Sequence, residues 1–219
     1  MTRLLDYGLG SLSNLILKMA DLSMRSVDTA IELYEKGDGD KSLLFEWSEQ
    51  LRVLQDEVTE LSVELIARYQ PVATDLRFIR SCIEISYGFS RFGRYAYDIV
   101  DVIGVMGSIS HCDKSAVMEM AKTATDMIHQ SVQALRARDK TAAAKLYSMD
   151  DTVDALYRKH LREAITPNTK KGTNDLVSDP RCYVSTLLIL RYLERMADHA
   201  CYIGDSVNYI VTGTSSPRR

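Results

Sequence analysis

The sequence predicts an all-α protein, a tandem duplication of two three-helix bundles with six long helices in total. Apolar residues recur every three or four positions through most of the 219 residues, and this spacing places them on one face of a helix. Leu, Ala, Met, Glu and Arg, which lose little freedom in a helix, are abundant, whereas prolines number four. No segment alternates polar and apolar residues as a strand does.

The first two helices are predicted from their apolar faces and from the breaks that end them. The first covers residues 11–36, and the Gly-Asp-Gly-Asp segment at 37–40 ends it with residues that suit turns and caps. The second covers about 41–69 and ends before Pro71, whose ring removes a backbone donor.

The third helix is predicted to begin near Asp75, an acid placed well for a cap or a first turn. Gly104 and Gly107 end it, and residues 107–112 connect it to the second half of the chain. The first repeat is therefore assigned to residues 11–106.

The second half follows the same order of three long helices. The fourth helix is predicted to end at Arg138, the fifth covers about 141–164, and the sixth covers about 179–211. A polar loop at 168–174 separates the last two and is predicted to be mobile. The second repeat is assigned to residues 113–212.

An offset of 104 residues aligns the third helix with the sixth. Asp75 and Arg77 fall on Asp179 and Arg181, a match that two apolar helix faces do not produce by themselves. Duplication of the three-helix unit is the prediction. Each arginine is expected to form an ion pair or a loop tether, with a contact to a partner or an anion as the second possibility.

Charge and hydropathy restrict the function classes. The net charge of −3 gives no general attraction to nucleic acid or to anionic lipid. No signal peptide and no apolar run of about 18 residues is found, so a cytoplasmic location is predicted. The Gly-, Ser- and Thr-rich segment at 212–219 is interpreted as a frayed tail.

The four cysteines are Cys82, Cys112, Cys182 and Cys201. They lack the C-x-x-C spacing of a zinc knuckle, and four in a chain of this length do not make a disulfide scaffold. They are predicted to be small buried hydrophobes, with Cys112 in an exposed loop.

Two segments resemble the PhoU family of phosphate-uptake regulators. Residues 70–77, Gln-Pro-Val-Ala-Thr-Asp-Leu-Arg, are similar to the opening of the third helix of a PhoU repeat. Residues 194–200, Glu-Arg-Met-Ala-Asp-His-Ala, are similar to the last helix of its second repeat. The resemblance covers residues 12–213.

PhoU repeats carry an acid-x-x-x-acid motif on the second helix and another on the third. The second repeat here has Asp150 and Asp154 on its second helix, and Glu194 and Asp198 on its third. Residues four apart share a helical face, so the resemblance implies four carboxylates around a metal. The family implies iron, and oxygen ligands also suit Mg²⁺, Mn²⁺ or Ca²⁺. A solvated acidic face is the alternative.

The first repeat departs from the motif. Its third-helix positions are Ser90 and Arg94, and its second-helix positions fall on Ser48 and Arg52. Because arginine is always charged, no cation is expected there. Arg94 is predicted either to hold an anion or, more simply, to extend into solvent along its apolar stem.

The resemblance implies a non-enzymatic regulator that restrains high-affinity phosphate uptake. Its implied partners are the ATPase subunit of a phosphate ABC transporter, a sensor kinase, and a second copy of the chain in a homodimer. It would reach the membrane only through these partners, and no nucleic acid is expected.

Two alternatives remain open at this point. A ferritin-like carboxylate metalloenzyme would need Glu-x-x-His pairs, and Ala197 stands at the third position after Glu194. A purely structural helical adaptor would bind nothing at its acids. No nucleophile with a paired base and no phosphate-binding glycine loop is present, so no enzymatic activity is predicted.

Overall fold

The computed structural model describes residues 3–107, 109–165 and 179–215. No strand occurs in these ranges, and the predicted all-α class is confirmed. The predicted loop at 168–174 and residues 216–219 of the predicted tail lie outside them. The six helices are α1 (Leu4–Lys36), α2 (Ser42–Tyr69), α3 (Ala73–Met106), α4 (Ser115–Ala137), α5 (Ala142–Ile165) and α6 (Pro180–Thr212).

Within the described residues, the start of α1 lies further from its predicted position than any other helix end. The helix begins at Leu4 rather than at residue 11. Arg3 caps the start of the helix, and its backbone N–H donates to Asp6 Oδ2 at 2.9 Å. Gly8 lies inside the helix, where a Cβ would come within 2.3 Å of the side chain of Leu65. The glycine therefore permits close packing of α1 on α2.

Each half of the molecule is a three-helix bundle. α1, α2 and α3 pack on one another, as do α4, α5 and α6. α3 and α6 also pack against each other, and one continuous apolar core extends through both bundles. None of the helices in the described ranges combines the length and the apolar character that crossing a bilayer requires.

Two arginines at equivalent positions join the central helices. Arg77, at the start of α3, donates to Thr74 Oγ1 at 3.1 Å and lies beside Gly213, the left-handed residue that ends α6. Arg181, at the start of α6, donates to the Met106 carbonyl at the end of α3 at 3.4 Å. The start of each central helix thus lies beside the end of the other, so the two run antiparallel.

The partners of the repeat aspartates differ between the halves. Asp179 caps α6 and accepts hydrogen bonds from both the backbone and the side chain of Arg181. Asp75 lies in the first turn of α3 and pairs with Arg3 at 3.1 Å, not with Arg77.

The prediction for two of the cysteines is wrong. Cys112, in the connector between α3 and α4, forms a disulfide with Cys182 in the first turn of α6. The two lie 70 residues apart in sequence, and the antiparallel packing of α3 and α6 brings them together. Cys82 and Cys201 are buried in the core, as predicted.

Candidate carboxylate metal site

The four predicted ligands lie on the packed pair α5 and α6. Asp150 and Asp154 are on α5, Glu194 and Asp198 are on α6, and all four are half-buried. Core residues lie next to them on both helices, with Leu193, Met196 and Ala197 fully buried. This packing argues against a fully solvated acidic face.

The carboxylates act on one another electrostatically across the helix pair. Burial, followed by the negative charges of Asp198, Asp154 and Asp151, raises the pKa of Asp150 to about 6. Burial and the charge of Asp198 also raise the pKa of Glu194. The pKa of Asp198 is raised by burial and by Asp154, against the opposing effect of Arg195. The negative charge of the cluster therefore exceeds the positive charge that neighbouring residues supply.

Two of its oxygen atoms are buried without a hydrogen-bond partner. They are Asp150 Oδ1 and Glu194 Oε2. An unsatisfied buried acceptor typically costs about 1–3 kcal/mol, and more for a charged group. A cation beside these atoms would supply the missing partner and offset the repulsion, so the donor set fits a hard metal ion.

Arginines compensate part of the charge. Arg191 Nη1 donates to Glu194 Oε1 at 2.5 Å, and Arg158 pairs with Asp154 one turn further along α5. Arg195 Nε lies 3.9 Å from Glu194 Oε2, too far for a hydrogen bond. Each paired acid retains a second oxygen atom for a cation.

The carboxylate oxygens are not in ligating positions. Within the described ranges, no three of them lie within 4.8 Å of one another, a distance that only His111, Cys112 and Cys182 satisfy. A metal would therefore have to draw the side chains together by rotation about their χ angles.

The corresponding positions of the first repeat carry paired arginines. Arg94 is exposed, pairs with Asp98 at 3.0 Å and lies over the ring of Tyr97. Arg52 is exposed and pairs with Glu49 at 3.2 Å and Asp56 at 3.3 Å. The structure thus brings these guanidinium groups to acids on their own helices.

Sequence reasoning missed a polar pocket of about 600 Å³ between α3 and α6. It is lined by Tyr87, Arg91, Tyr95, Arg191, Tyr192, Arg195, Asp198, His199 and Tyr202. Burial, with Arg91 and Arg195 nearby, lowers the pKa of His199 to about 4, so this ring is neutral at physiological pH. The pocket depends on how α3 meets α6, which the periodicity of either helix does not specify.

Comparison with known proteins gives concordant matches. The family model described as PhoU domain matches residues 16–103 and 117–207. The chain is 28% identical over 219 aligned positions to a phosphate-specific transport system accessory protein PhoU homolog of Clostridium acetobutylicum, covering 97% of each chain. It is 29% identical to the homolog of Deinococcus radiodurans, covering 98% of this chain and 99% of the other.

Two solved structures share the fold. The crystal structure of PhoU from Pseudomonas aeruginosa matches with a TM-score of 0.83 and 25% identity, covering 95% of this chain and 99% of that one. That of the phosphate transport system regulatory protein PhoU from Streptococcus pneumoniae matches with a TM-score of 0.85 and 20% identity, covering 98% and 100%. The second likeness concerns the fold alone.

Proposed function

The chain belongs to the PhoU family, and from this membership we propose that it is a non-enzymatic regulator of phosphate transport. The observation that carries the proposal is the match of the family to both repeats, together with near-complete alignment to relatives named phosphate-specific transport system accessory proteins. By that relationship, its partners are the ATPase subunit of a phosphate ABC transporter and a sensor kinase. A homodimer and a cytoplasmic location belong to the same proposal.

We propose further that the second repeat binds metal through Asp150, Asp154, Glu194 and Asp198. The unpartnered oxygens of Asp150 and Glu194 and the raised pKa of Asp150 support it. When bound, a hard cation such as iron, Mn²⁺, Mg²⁺ or Ca²⁺ supplies positive charge between α5 and α6. The acids hold the ion, and Arg191 and Arg158 fix the orientation of two of them.

A metal between α5 and α6 would affect more than one bundle. α6 packs on α5 along one face and on α3 along another. Fixing α5 against α6 therefore also fixes the surface that the second bundle presents beside α3. We propose that this defined surface is what the transporter subunit recognises.

The ferritin-like alternative gains no support from the histidine nearest to the acids. His199 follows Asp198 but packs among aromatic rings, with centroids 5.6 Å from Tyr87 and Tyr202 and 6.1 Å from Tyr95. Its ring therefore faces the pocket between α3 and α6. The proposed ligand set consists of carboxylates and includes no Glu-x-x-His pair.

Complementation tests the function. The chain is expressed in a bacterium whose own PhoU gene is deleted, and uptake of radiolabelled phosphate is measured at high external phosphate. We expect the wild-type chain to reduce uptake, and the Asp154→Asn, Glu194→Gln double variant to reduce it less. Arg94→Ala, at the equivalent position of the first repeat, is the matched control and should act as wild type. Unchanged uptake despite normal accumulation of the wild-type chain would refute the proposal.

A further inference from the structure

The disulfide lies among other metal-ligating groups. His111 Nε2 is 3.6 Å from Cys182 Sγ and 3.9 Å from Cys112 Sγ. Asp179 Oδ2 lies 3.2 Å from the same nitrogen. The connector after α3 thus supplies an imidazole and a sulfur, and the start of α6 supplies a sulfur and a carboxylate.

We propose that, once the disulfide is reduced, Cys112, Cys182, His111 and Asp179 bind a zinc ion. The disulfide and the zinc ion would then be alternative cross-links between the connector and the start of α6. This site is separate from the carboxylate cluster, since Glu194, the nearer cluster acid on α6, lies 12 residues after Cys182, about 18 Å at 1.5 Å per residue.

The distances between the ligand atoms suit a tetrahedral zinc site. With Zn–S bonds of about 2.3 Å and Zn–N or Zn–O bonds of about 2.0 Å, neighbouring nitrogen and sulfur ligands lie about 3.5 Å apart, and nitrogen and oxygen about 3.3 Å apart. The nitrogen–sulfur distances of 3.6 and 3.9 Å and the nitrogen–oxygen distance of 3.2 Å are close to these values. The sulfur atoms must separate, from about 2 Å in a disulfide to about 3.8 Å on zinc. Asp179 must also move closer to the sulfur atoms, because it is not among the three residues whose ligand atoms lie within 4.8 Å of one another.

The charges also suit a zinc ion. Two thiolates and one carboxylate around Zn²⁺ leave a net charge of about −1. Arg181 supplies a neighbouring positive charge, because its Nε donates to Asp179 Oδ2 at 2.8 Å. The same nitrogen lies 3.0 Å from Asp179 Oδ1.

The chemistry balances with thiols as the reductant. Two thiols reduce the disulfide, giving the two cysteine thiols and one new disulfide between the reductant molecules. Zn²⁺ then displaces one proton from each cysteine thiol and binds both thiolates. In a reducing cytoplasm, where disulfides are rare, the zinc form is the resting state. Oxidation of the two thiolates by a disulfide or a peroxide would release the ion.

The sulfur ligands are within reach of solvent. Cys112 and Cys182 are partly exposed, and His111 is exposed. A metal and a small thiol can therefore enter without opening the core. Cys82, by contrast, is buried and serves as an internal control.

Cobalt substitution tests the site on the full chain. Co²⁺ is titrated into protein reduced with a phosphine, and the near-ultraviolet charge-transfer band of cobalt–thiolate bonds is recorded. We expect the band in the reduced wild type and in Cys82→Ser, and its loss in Cys112→Ser, in Cys182→Ser and in the oxidised wild type. No band in the reduced wild type, or a band that survives in both single Cys→Ser variants, would overturn the proposal.

Two further variants test the other ligands. Zn²⁺ affinity is measured by competition with a chromophoric chelator. The Zn²⁺ bound by Cys112→Ser is subtracted from that bound by each protein, which removes the contribution of other sites. His111→Ala should weaken the remaining affinity at least about tenfold. Asp179→Asn retains the capping side chain but loses the charge, and should also weaken it. Wild-type affinity in both His111→Ala and Asp179→Asn would show that only the sulfur atoms bind the ion, and would refute the four-ligand site. Neither measurement depends on phosphate uptake.

Discussion

Asp150 combines burial, a missing hydrogen-bond partner and repulsion by neighbouring acids. Its carboxyl group is half-buried, one oxygen has no partner, and its pKa is raised to about 6 from the usual 3.8. A raised pKa means that the folded protein binds this proton more tightly than the unfolded chain does. The proton therefore stabilises the fold below about pH 4, and that contribution is lost as the pH rises through about 6.

We predict that Asp150→Asn stabilises the metal-stripped protein at pH 7 by about 1 kcal/mol, a figure reduced for solvent screening. The amide keeps the shape of the carboxyl group but is not repelled by Asp198 or Asp154. Urea unfolding in the presence of a chelator, compared between pH 4 and pH 7, measures the effect. Parallel pH profiles for the variant and the wild type would contradict it.

Cysteine reactivity should distinguish Cys82 from Cys112 and Cys182. Burial raises the pKa of the Cys82 thiol to about 12, so it has almost no thiolate at neutral pH. After reduction, we expect an alkylating reagent to modify Cys112 and Cys182 in the native protein and to leave Cys82 intact. Peptide mass spectrometry reads each site, and denatured protein provides the fully modified control. Rapid modification of Cys82 in the native protein would show that this thiol is not buried.

At the scale of the helices, local sequence signals determined most of the ends. Pro71 and Gly107 stop α2 and α3 by backbone chemistry that acts within a few residues, so their ends were predictable. Gly104, which was also predicted to end α3, lies inside the helix. α1 begins seven residues before the predicted start, and Gly8 in this added stretch accommodates Leu65 from another helix. A residue's intrinsic preference gave way to a tertiary contact that the local sequence does not contain.

Two glycines allow a matched test of helix packing. At Gly204 in α6, a Cβ would lie 2.7 Å from Leu146 Cδ1 and 3.3 Å from the backbone of Ala143 in α5. We predict that Gly204→Ala separates α5 from α6 and destabilises the protein by about 1–2 kcal/mol. Gly10 in α1 has no atom within 4 Å of a Cβ, so Gly10→Ala should stabilise it by about 0.5–1 kcal/mol.

Denaturant unfolding of the two variants measures both changes. The comparison separates packing from helix propensity, because both substitutions add the same methyl group inside a helix. Equal effects at the two positions would show that close approach of α5 and α6 is not what Gly204 provides.

At the scale of the whole molecule, the two repeats share a fold but differ in charge. The sequence predicted this difference, because Ser90 and Arg94 stand where Glu194 and Asp198 stand in the second repeat. What it could not predict is how side chains from different helices meet. The Cys112–Cys182 disulfide and the arginine–tyrosine pocket both arise from the α3–α6 contact, whose register no single-helix pattern contains.

Metal content should follow this asymmetry. In oxidised protein, where the disulfide keeps the cysteines from binding metal, we expect Asp154→Asn with Glu194→Gln to lose more than half of the bound metal. Elemental analysis of protein purified without chelator gives the amount per chain. Arg94→Ala, in the first repeat, should leave it unchanged. Equal metal in all three proteins would exclude the carboxylate site.

The reciprocal arginine contacts also limit how the halves can move. Arg77 meets the end of α6 at Gly213, and Arg181 meets the end of α3 at Met106. Lengthwise sliding of α3 against α6 would break both contacts, one at each end of the helix pair. A shift of one bundle along the other is therefore expected to be opposed at both ends.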